Sequence, residues 1–311
     1  MEHLTVAAAI VVGAVLVWML MPRRRCYDLT NKVVVVTGAA SGIGRGLAIA
    51  LAQRGAIVAA VDVNGDGLAS LSRDHPALRH TFHCNIADHA NVVACMAEVV
   101  RTIGREVDVL VNNAGIVHGK RLLDLTPADV TKIFGINTLA HFWTTQAVLP
   151  AMLQRDAGMI VTISSVMGLN GSAQLVDYCS SKYATVGFHE SLRMELRRLR
   201  KLGVHTLLVC PMAVDSGMFA GIFGSQGWWP RFVHRWLIPI LAVDDVVAAV
   251  VDGIEHRDHE ILSCARSWHR FVLPLVIRGS RLLPVSVMDA LLSLGGGCDG
   301  MDTFRGRSVP N

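Results

Sequence analysis

Val33–Thr37 is a run of four valines closed by a threonine, and Gly38-Ala39-Ala40-Ser41-Gly42-Ile43-Gly44 follows it at once. A helical pattern from about Ile43 to Arg54 comes next. A buried strand that turns through glycines into a helix has few folds open to it. The alternation then continues. Ile57–Asp62, Thr81–Cys84, Val107–Asn112, Met159–Ser164, His205–Cys210 and Ile261–Cys264 read as strands. Helical patterns cover His89–Ile103, Asp129–Leu149 and Tyr178–Leu202. Strands this apolar are covered on both faces, and their alternation with helices calls for a parallel sheet. Right-handed crossovers then give an α/β domain, a Rossmann-type doubly wound parallel sheet with helices on both faces. The 311 residues divide into an N-terminal segment 1–25, this domain over 26–265, and an extension over 266–311 with a Gly-rich, polar tail.

The glycine turn is placed to take a phosphate. Gly38, Gly42 and Gly44 let backbone approach a pyrophosphate, with Ser41 and Ile43 at a helix N-terminus that offers free N–H groups and partial positive charge. Asp62 ends the second strand, 18 residues after Gly44. A carboxylate there accepts from both hydroxyls of an adenosine ribose and repels a 2′-phosphate, and no Arg or Lys follows closely. NAD is therefore favoured over NADP; the bland alternative for Asp62 is an acid opening a loop. Asn112-Asn113-Ala114-Gly115 ends the fourth strand, where ligands sit in such sheets. Asn113 can satisfy a backbone group and Gly115 permits close approach; a purely stabilising turn fits the same fold.

Tyr178 and Lys182 lie four apart, on one face of a helix. A cation beside a phenol favours the phenolate, which makes the hydroxyl usable in acid–base chemistry. Tyr183 has Gly187 four residues on and so has no such partner. Ser165 lies thirteen residues before Tyr178.

Leu4–Met21 is an uncharged stretch long enough to cross a bilayer, and Pro22-Arg23-Arg24-Arg25 follows it. Charge after the apolar run reads as an uncleaved signal anchor that leaves the rest of the chain in the cytosol. An interfacial helix and a cleaved signal are the alternatives. Hydrophobic residues make up 52% and charged ones 17%, a greasy balance that suits a membrane surface. The net charge of +4, without zinc-finger spacing or a basic tail, gives no nucleic-acid partner. Seven scattered cysteines with no Cys-x-x-Cys read as reduced thiols. Phe219–Leu241, with Trp228, Trp229, Trp236, Arg231 and Arg235, and Trp268–Leu294 suit a headgroup region, or equally a lid and a packed helix pair. His256–Glu260 has metal-like composition but reads as a solvated loop, and the chemistry needs no metal.

Together, Thr37-Gly38-x-x-x-Gly42-x-Gly44, Asn112-Asn113-Ala114-Gly115, Asn137, Ser165 and Tyr178-x-x-x-Lys182 resemble the short-chain dehydrogenase/reductase family in order and spacing. The resemblance covers about Asn31 to Cys264. Asn137–Thr145, Asp177–Lys182 and Gly187–Leu192 resemble its membrane-bound branch of retinol and 17β-hydroxysteroid dehydrogenases. Asp215–Phe219 leans toward the retinol members. The resemblance implies oxidation of a lipophilic alcohol, retinol to retinal first and a hydroxysteroid or other lipid alcohol second; a non-catalytic membrane or droplet scaffold is the third reading. Tyr178 is then the acid–base, Ser165 the group that holds the substrate oxygen, and Lys182 a ligand of the nicotinamide ribose. Asn137 holds a water that links Lys182 to solvent. Asn85 and Ile86 meet the adenine, Ala114 lies against the cofactor, and Pro211, Val214 and Ser216 flank the nicotinamide. Pro211-Met212 stands where the family has Pro-Gly, which puts Met212 in the substrate pocket. Asn85-Ile86 replaces Asp-Val, and Ser216 replaces Thr but keeps its hydroxyl. The resemblance further implies a homodimer through the helices at Asp129–Leu149 and Tyr178–Leu202, and a place on the endoplasmic reticulum membrane or lipid droplets, facing the cytosol.

Overall fold

The computed structural model describes residues 27–219, 240–261 and 282–294, with 274, 277, 279, 298, 301, 302, 304 and 305. The apolar segment Leu4–Met21 and nearly all of the Trp-rich stretch 219–241 lie outside the described residues. Among the described residues, no helix is long and apolar enough to cross a membrane.

Seven strands form one parallel sheet: β1 (Val33–Thr37), β2 (Ile57–Asp62), β3 (His80–His83), β4 (Val109–Asn112), β5 (Gly158–Ile163), β6 (Val204–Val209) and β7 (Glu260–Ile261). Their order is β3-β2-β1-β4-β5-β6-β7. All five residues of β1 are buried, as a strand covered on both faces requires. One face packs α1 (Gly42–Gln53) and α7 (Val243–His256), through Leu47, Leu51, Val246 and Val250. The other packs α3 (His89–Ile103), α5 (Ala140–Arg155) and α6 (Val176–Arg198), through Val92, Met152 and Leu196. The remaining helices are α2 (Gly65–Asp74), α4 (Pro127–Phe134) and α8 (Val285–Leu294).

β1 pairs with both β2 and β4, so the chain reverses its direction of travel there. That switch point opens a crevice beyond the strand carboxyl ends. β3 ends one residue before Cys84, and Val107 precedes β4. Of the expected strand Ile261–Cys264, only Ile261 lies in the described residues, where it closes β7.

The continuous helix expected over Asp129–Leu149 is not what forms. α4 is capped by a reciprocal Thr126–Asp129 box, and it runs into a π-helical turn, Gly135–Leu139, before α5 begins. The Asn137 carbonyl accepts from Thr185 Oγ1 (2.8 Å), and Thr138 Oγ1 donates to the Ser181 carbonyl (3.1 Å). Hydroxyls and carbonyls shared with α6 thus hold the widened turn, and π-bulges of this kind recur at functional sites.

Candidate active site

Thr37 joins the two strands that flank the switch point. Its Oγ1 accepts from the backbone N–H of Asn113 (3.0 Å) and Ala114 (3.2 Å), and donates to the Val111 carbonyl (3.3 Å). Asn113 Nδ2 returns a bond to the Thr37 carbonyl (2.9 Å). Gly38 and Gly42 take left-handed conformations, φ 70° and 54°, that side chains resist. A Cβ on Gly44 would collide with the Gly38 carbonyl oxygen, and one on Gly38 would sit 2.9 Å from Ala114 Cα. Ser41 holds the N-cap of α1, whose first turn contains no acid, so the helix's positive end is left for a ligand. This bare cradle at a helix N-terminus fits a dinucleotide's pyrophosphate.

Asp62 does more than open a loop. Its Oδ2 accepts from Ala40 N (2.9 Å) and its Oδ1 from Asn64 N (2.9 Å), which ties the glycine turn to the start of α2. Arg45, one residue beyond Gly44, is committed to Asp74 (2.9 Å) and to Ser70 (3.4 Å). Asn85 Oδ1 caps its own turn at Ala87 N (3.1 Å), and Ile86 is buried beside it.

Across the crevice, β5 ends at Ile163 and α6 brings up Tyr178 and Lys182, both buried. The Ser165 side chain hydrogen-bonds Tyr178. Lys182 Nζ donates to the Ile163 carbonyl (3.1 Å) and lies 5.8 Å from the centre of the Tyr178 ring. Burial holds the Lys182 ammonium down to about 8. Tyr178 runs against expectation. Burial raises its pKa, the Ser165 bond opposes this only partly, and the Cys179 and Cys210 side chains push it higher. Lys182, whose Nζ donates to the Ile163 carbonyl, does not offset this rise. The cofactor-free site therefore holds a neutral Tyr178.

Asn137 is fully buried at the π turn. Its Oδ1 accepts from Ile116 N (2.8 Å), and its Nδ2 donates to the Ile116 carbonyl (3.0 Å) and to Ser181 Oγ (3.0 Å). A Cβ on Gly115 would lie 3.3 Å from Asn137 Oδ1 and 3.6 Å from Lys182 Nζ, so the cleft floor passes directly from the cradle to the lysine.

The wall beside Tyr178 is apolar. Phe219 stands edge-on to Tyr178 (5.7 Å between centres, 85°), with Phe304, Met301, Met167 and Leu175 in the same cluster. Met212, partly buried, packs with Val166 and Ile277. Pro211 accepts from Val166 N (3.0 Å), Val214 bridges Leu241, and Ser216 N–H donates to the Val214 carbonyl (2.8 Å).

Sequence reasoning missed His118. Its Nδ1 lies 2.7 Å from Oδ2 of Asp177, and the other carboxylate oxygen accepts from the Tyr178 N–H (2.8 Å). A spacing of 59 residues carries no local signal of such a pair.

Residues 32–226 match the family model described as short chain dehydrogenase. Human 17-beta-hydroxysteroid dehydrogenase 13 is 37% identical over 242 residues, 77% of this chain and 76% of that protein. Human epidermal retinol dehydrogenase 2 is 38% identical over 241 residues, 76% of each. Human retinol dehydrogenase 10 is 38% identical over 232 residues, 66% of this chain and 67% of that protein. A crystal structure of a short chain dehydrogenase/reductase from Burkholderia phymatum, in complex with NAD, superposes with a TM-score of 0.69 at 24% identity. It covers 82% of this chain and 95% of that one.

Proposed function

The chain belongs to the short-chain dehydrogenase family, and from that premise we propose a membrane-anchored, NAD-dependent oxidoreductase. It interconverts a lipophilic alcohol and its carbonyl compound, with all-trans-retinol to all-trans-retinal as the leading case. The observation that carries this reading is the buried Ser165–Tyr178–Lys182 cluster, walled by apolar side chains and joined to the glycine cradle through Gly115. Asp62, with a carboxylate at the end of β2, supports NAD over NADP.

Bound NAD supplies the hydride acceptor. The chain's own part is the proton. Ser165 Oγ holds the substrate oxygen beside Tyr178, and the Tyr178 hydroxyl gives or takes the proton on that oxygen. In the alcohol-oxidising direction Tyr178 must first lose its proton, and the raised pKa sets how much cationic help that requires. Lys182, 5.8 Å from the Tyr178 ring centre, is the cation proposed to supply that help once the cofactor is bound, and to hold the nicotinamide ribose. Asn137, braced by Ser181, would hold a water that links Lys182 to solvent. Acid–base assistance of this kind contributes roughly two to four orders of magnitude in rate.

The apolar segment Leu4–Met21 and the arginines after it support anchoring, with the catalytic domain on the cytosolic face of the endoplasmic reticulum or of lipid droplets. The helices through Ala140–Arg155 and Val176–Arg198 are the proposed homodimer faces. A second reading, a hydroxysteroid substrate, is favoured by the 37% identity to human 17-beta-hydroxysteroid dehydrogenase 13. NADH formation by membranes carrying the protein, with retinol, with a 17β-hydroxysteroid and with neither, separates the two. It also separates both from a non-catalytic scaffold. Tyr178→Phe should abolish turnover while NAD still binds by titration calorimetry; an active Phe variant sinks the assignment.

A further inference from the structure

At the far end of the sheet from the active site, the amino ends of β6 and β7 border a cavity of about 680 Å³. Six basic or imidazole side chains line it: Arg193, Arg197, Lys201, His205, Arg257 and His259. Among the described residues, no carboxylate does. Arg193 and Arg197 lie four apart on α6 and so share a face. The left-handed turn at Arg200 (φ 56°) lets Lys201 join them. Among the described residues, Arg193, Arg197 and Lys201 make no ion pair or side-chain hydrogen bond. Leu196 and Val204, both buried, and the exposed Leu202 add apolar lining.

Arg193, Arg197 and Lys201, gathered round one concavity, repel each other, and their field concentrates anions there. The field is felt inside the domain. His189, buried beneath, is held down to about 4 by burial and then by Arg193 and His259. Guanidinium forks match phosphate oxygens in pairs, whereas a single carboxylate would leave most of these donors unused. Apolar side chains among the cations of the lining suit an amphiphile better than a small polar ion.

Position points to the source. Tyr27 lies beneath the Arg257 guanidinium (4.9 Å to the ring centre), and its N–H donates to the Glu255 carbonyl. In sequence, only Cys26 separates residue 27 from Arg23-Arg24-Arg25 and the apolar stretch before them. The cavity thus sits beside the point where the chain enters the domain from that stretch. We propose that it is a binding site for a phosphate-bearing anion, with an acidic membrane phospholipid as the source its location favours. This inference does not depend on the catalytic reading.

The full chain in neutral detergent micelles tests it by titration calorimetry against three probes: dioctanoyl phosphatidic acid, dioctanoyl phosphatidylcholine and inorganic phosphate. Saturable binding of phosphatidic acid, competed by phosphate and weakened by added salt, is expected. The Arg193→Gln/Arg197→Gln/Lys201→Gln variant should bind at least tenfold more weakly with NAD binding unchanged. Should the triple variant fail to fold, Arg197→Gln alone should still weaken binding severalfold. Phosphatidic acid binding tighter than phosphate assigns a lipid, and equal affinities assign a soluble phosphate ester. Equal binding of phosphatidylcholine, no saturable binding of either phosphate probe, or unchanged binding by the variants overturns the site.

Discussion

Lys182 is a residue whose cost and use can be separated. Its ammonium is buried and its pKa is lowered to about 8, so below that pH the fold carries a charge it would shed more easily than the unfolded chain does. The sign follows: the unfolded chain holds the extra proton between about 8 and 10.5, so stability rises with pH across that window. Lys182→Met removes the buried charge. It should stabilise the cofactor-free protein at pH 7 by up to about 3 kcal/mol while removing turnover. Chemical denaturation followed by tryptophan fluorescence reads the first effect and NADH formation the second; a Met variant less stable than the parent contradicts the argument. His118 is a positioning residue by the same kind of reasoning. Asp177, whose side chain is fully buried, accepts from His118 on one oxygen and from Tyr178 N–H on the other. His118→Leu leaves that carboxylate short of a donor, a loss of about 1–3 kcal/mol. It should also lower kcat more than KM, because the turn bearing Tyr178 shifts. His118→Asn, which keeps an N–H near the Nδ1 position, should recover most of the loss, and equal damage by both variants speaks against the clamp.

At the scale of elements, the glycines of the cleft fall into two kinds. Gly44 faces backbone, and an added Cβ meets the Gly38 carbonyl oxygen, an obstacle that cannot swing aside. Gly115 faces side-chain ends at 3.3 and 3.6 Å, close but tolerable. Gly44→Ala should therefore destabilise the fold itself, by at least the roughly 1–3 kcal/mol typical of overpacking. Gly115→Ala should melt near the parent temperature yet bind NAD more weakly, because its methyl enters the cleft floor. Paired melting curves and cofactor titrations check the contrast, and matching losses in both variants would merge the two kinds. The same distinction explains what the sequence made legible. β1, the glycine turn and α1 are written in contiguous residues, and so were readable with nearly correct bounds. The Tyr178–Lys182 pair is also local, being one turn of helix. The π turn at Asn137 was not, because Thr185, 48 residues on, captures its carbonyl. An apolar helical period runs through Asp129–Leu149 whether or not that capture occurs. The raised pKa of Tyr178 was hidden for the same reason: burial is a property of the packed site and not of the i, i+4 spacing.

For the molecule as a whole, the deciding polar groups lie behind the active site. His141 and His189 are almost fully buried, at 2% and 1% exposure, and each has one ring nitrogen without a partner. Burial, then the Lys182 charge and His189, hold His141 down to about 3. His189, at about 4, is lowered by burial and by Arg193 and His259. The unfolded chain protonates both near their ordinary value of 6.5. Between that pH and the folded values the unfolded state binds more protons, so stability falls as pH falls. Each unit costs about 1.4 kcal/mol per histidine, so at pH 5 the pair costs roughly 4 kcal/mol, a large share of the 5–15 kcal/mol a domain typically has. Asp129, whose pKa is lowered by Lys120 and the Thr126 cap, adds its loss only at stronger acidity. The protein should therefore lose a large share of its stability in mild acid, before its carboxylates titrate. Replacing His189 with Asn keeps a hydrogen-bonding group near Thr162 Oγ1, 2.9 Å from the histidine Nδ1, but nothing that titrates. Its stability should fall about half as steeply between pH 6.5 and 5, as denaturant midpoints at several pH values would reveal. A parent protein as stable at pH 5 as at pH 7 would mean that these two rings are not kept neutral by the fold.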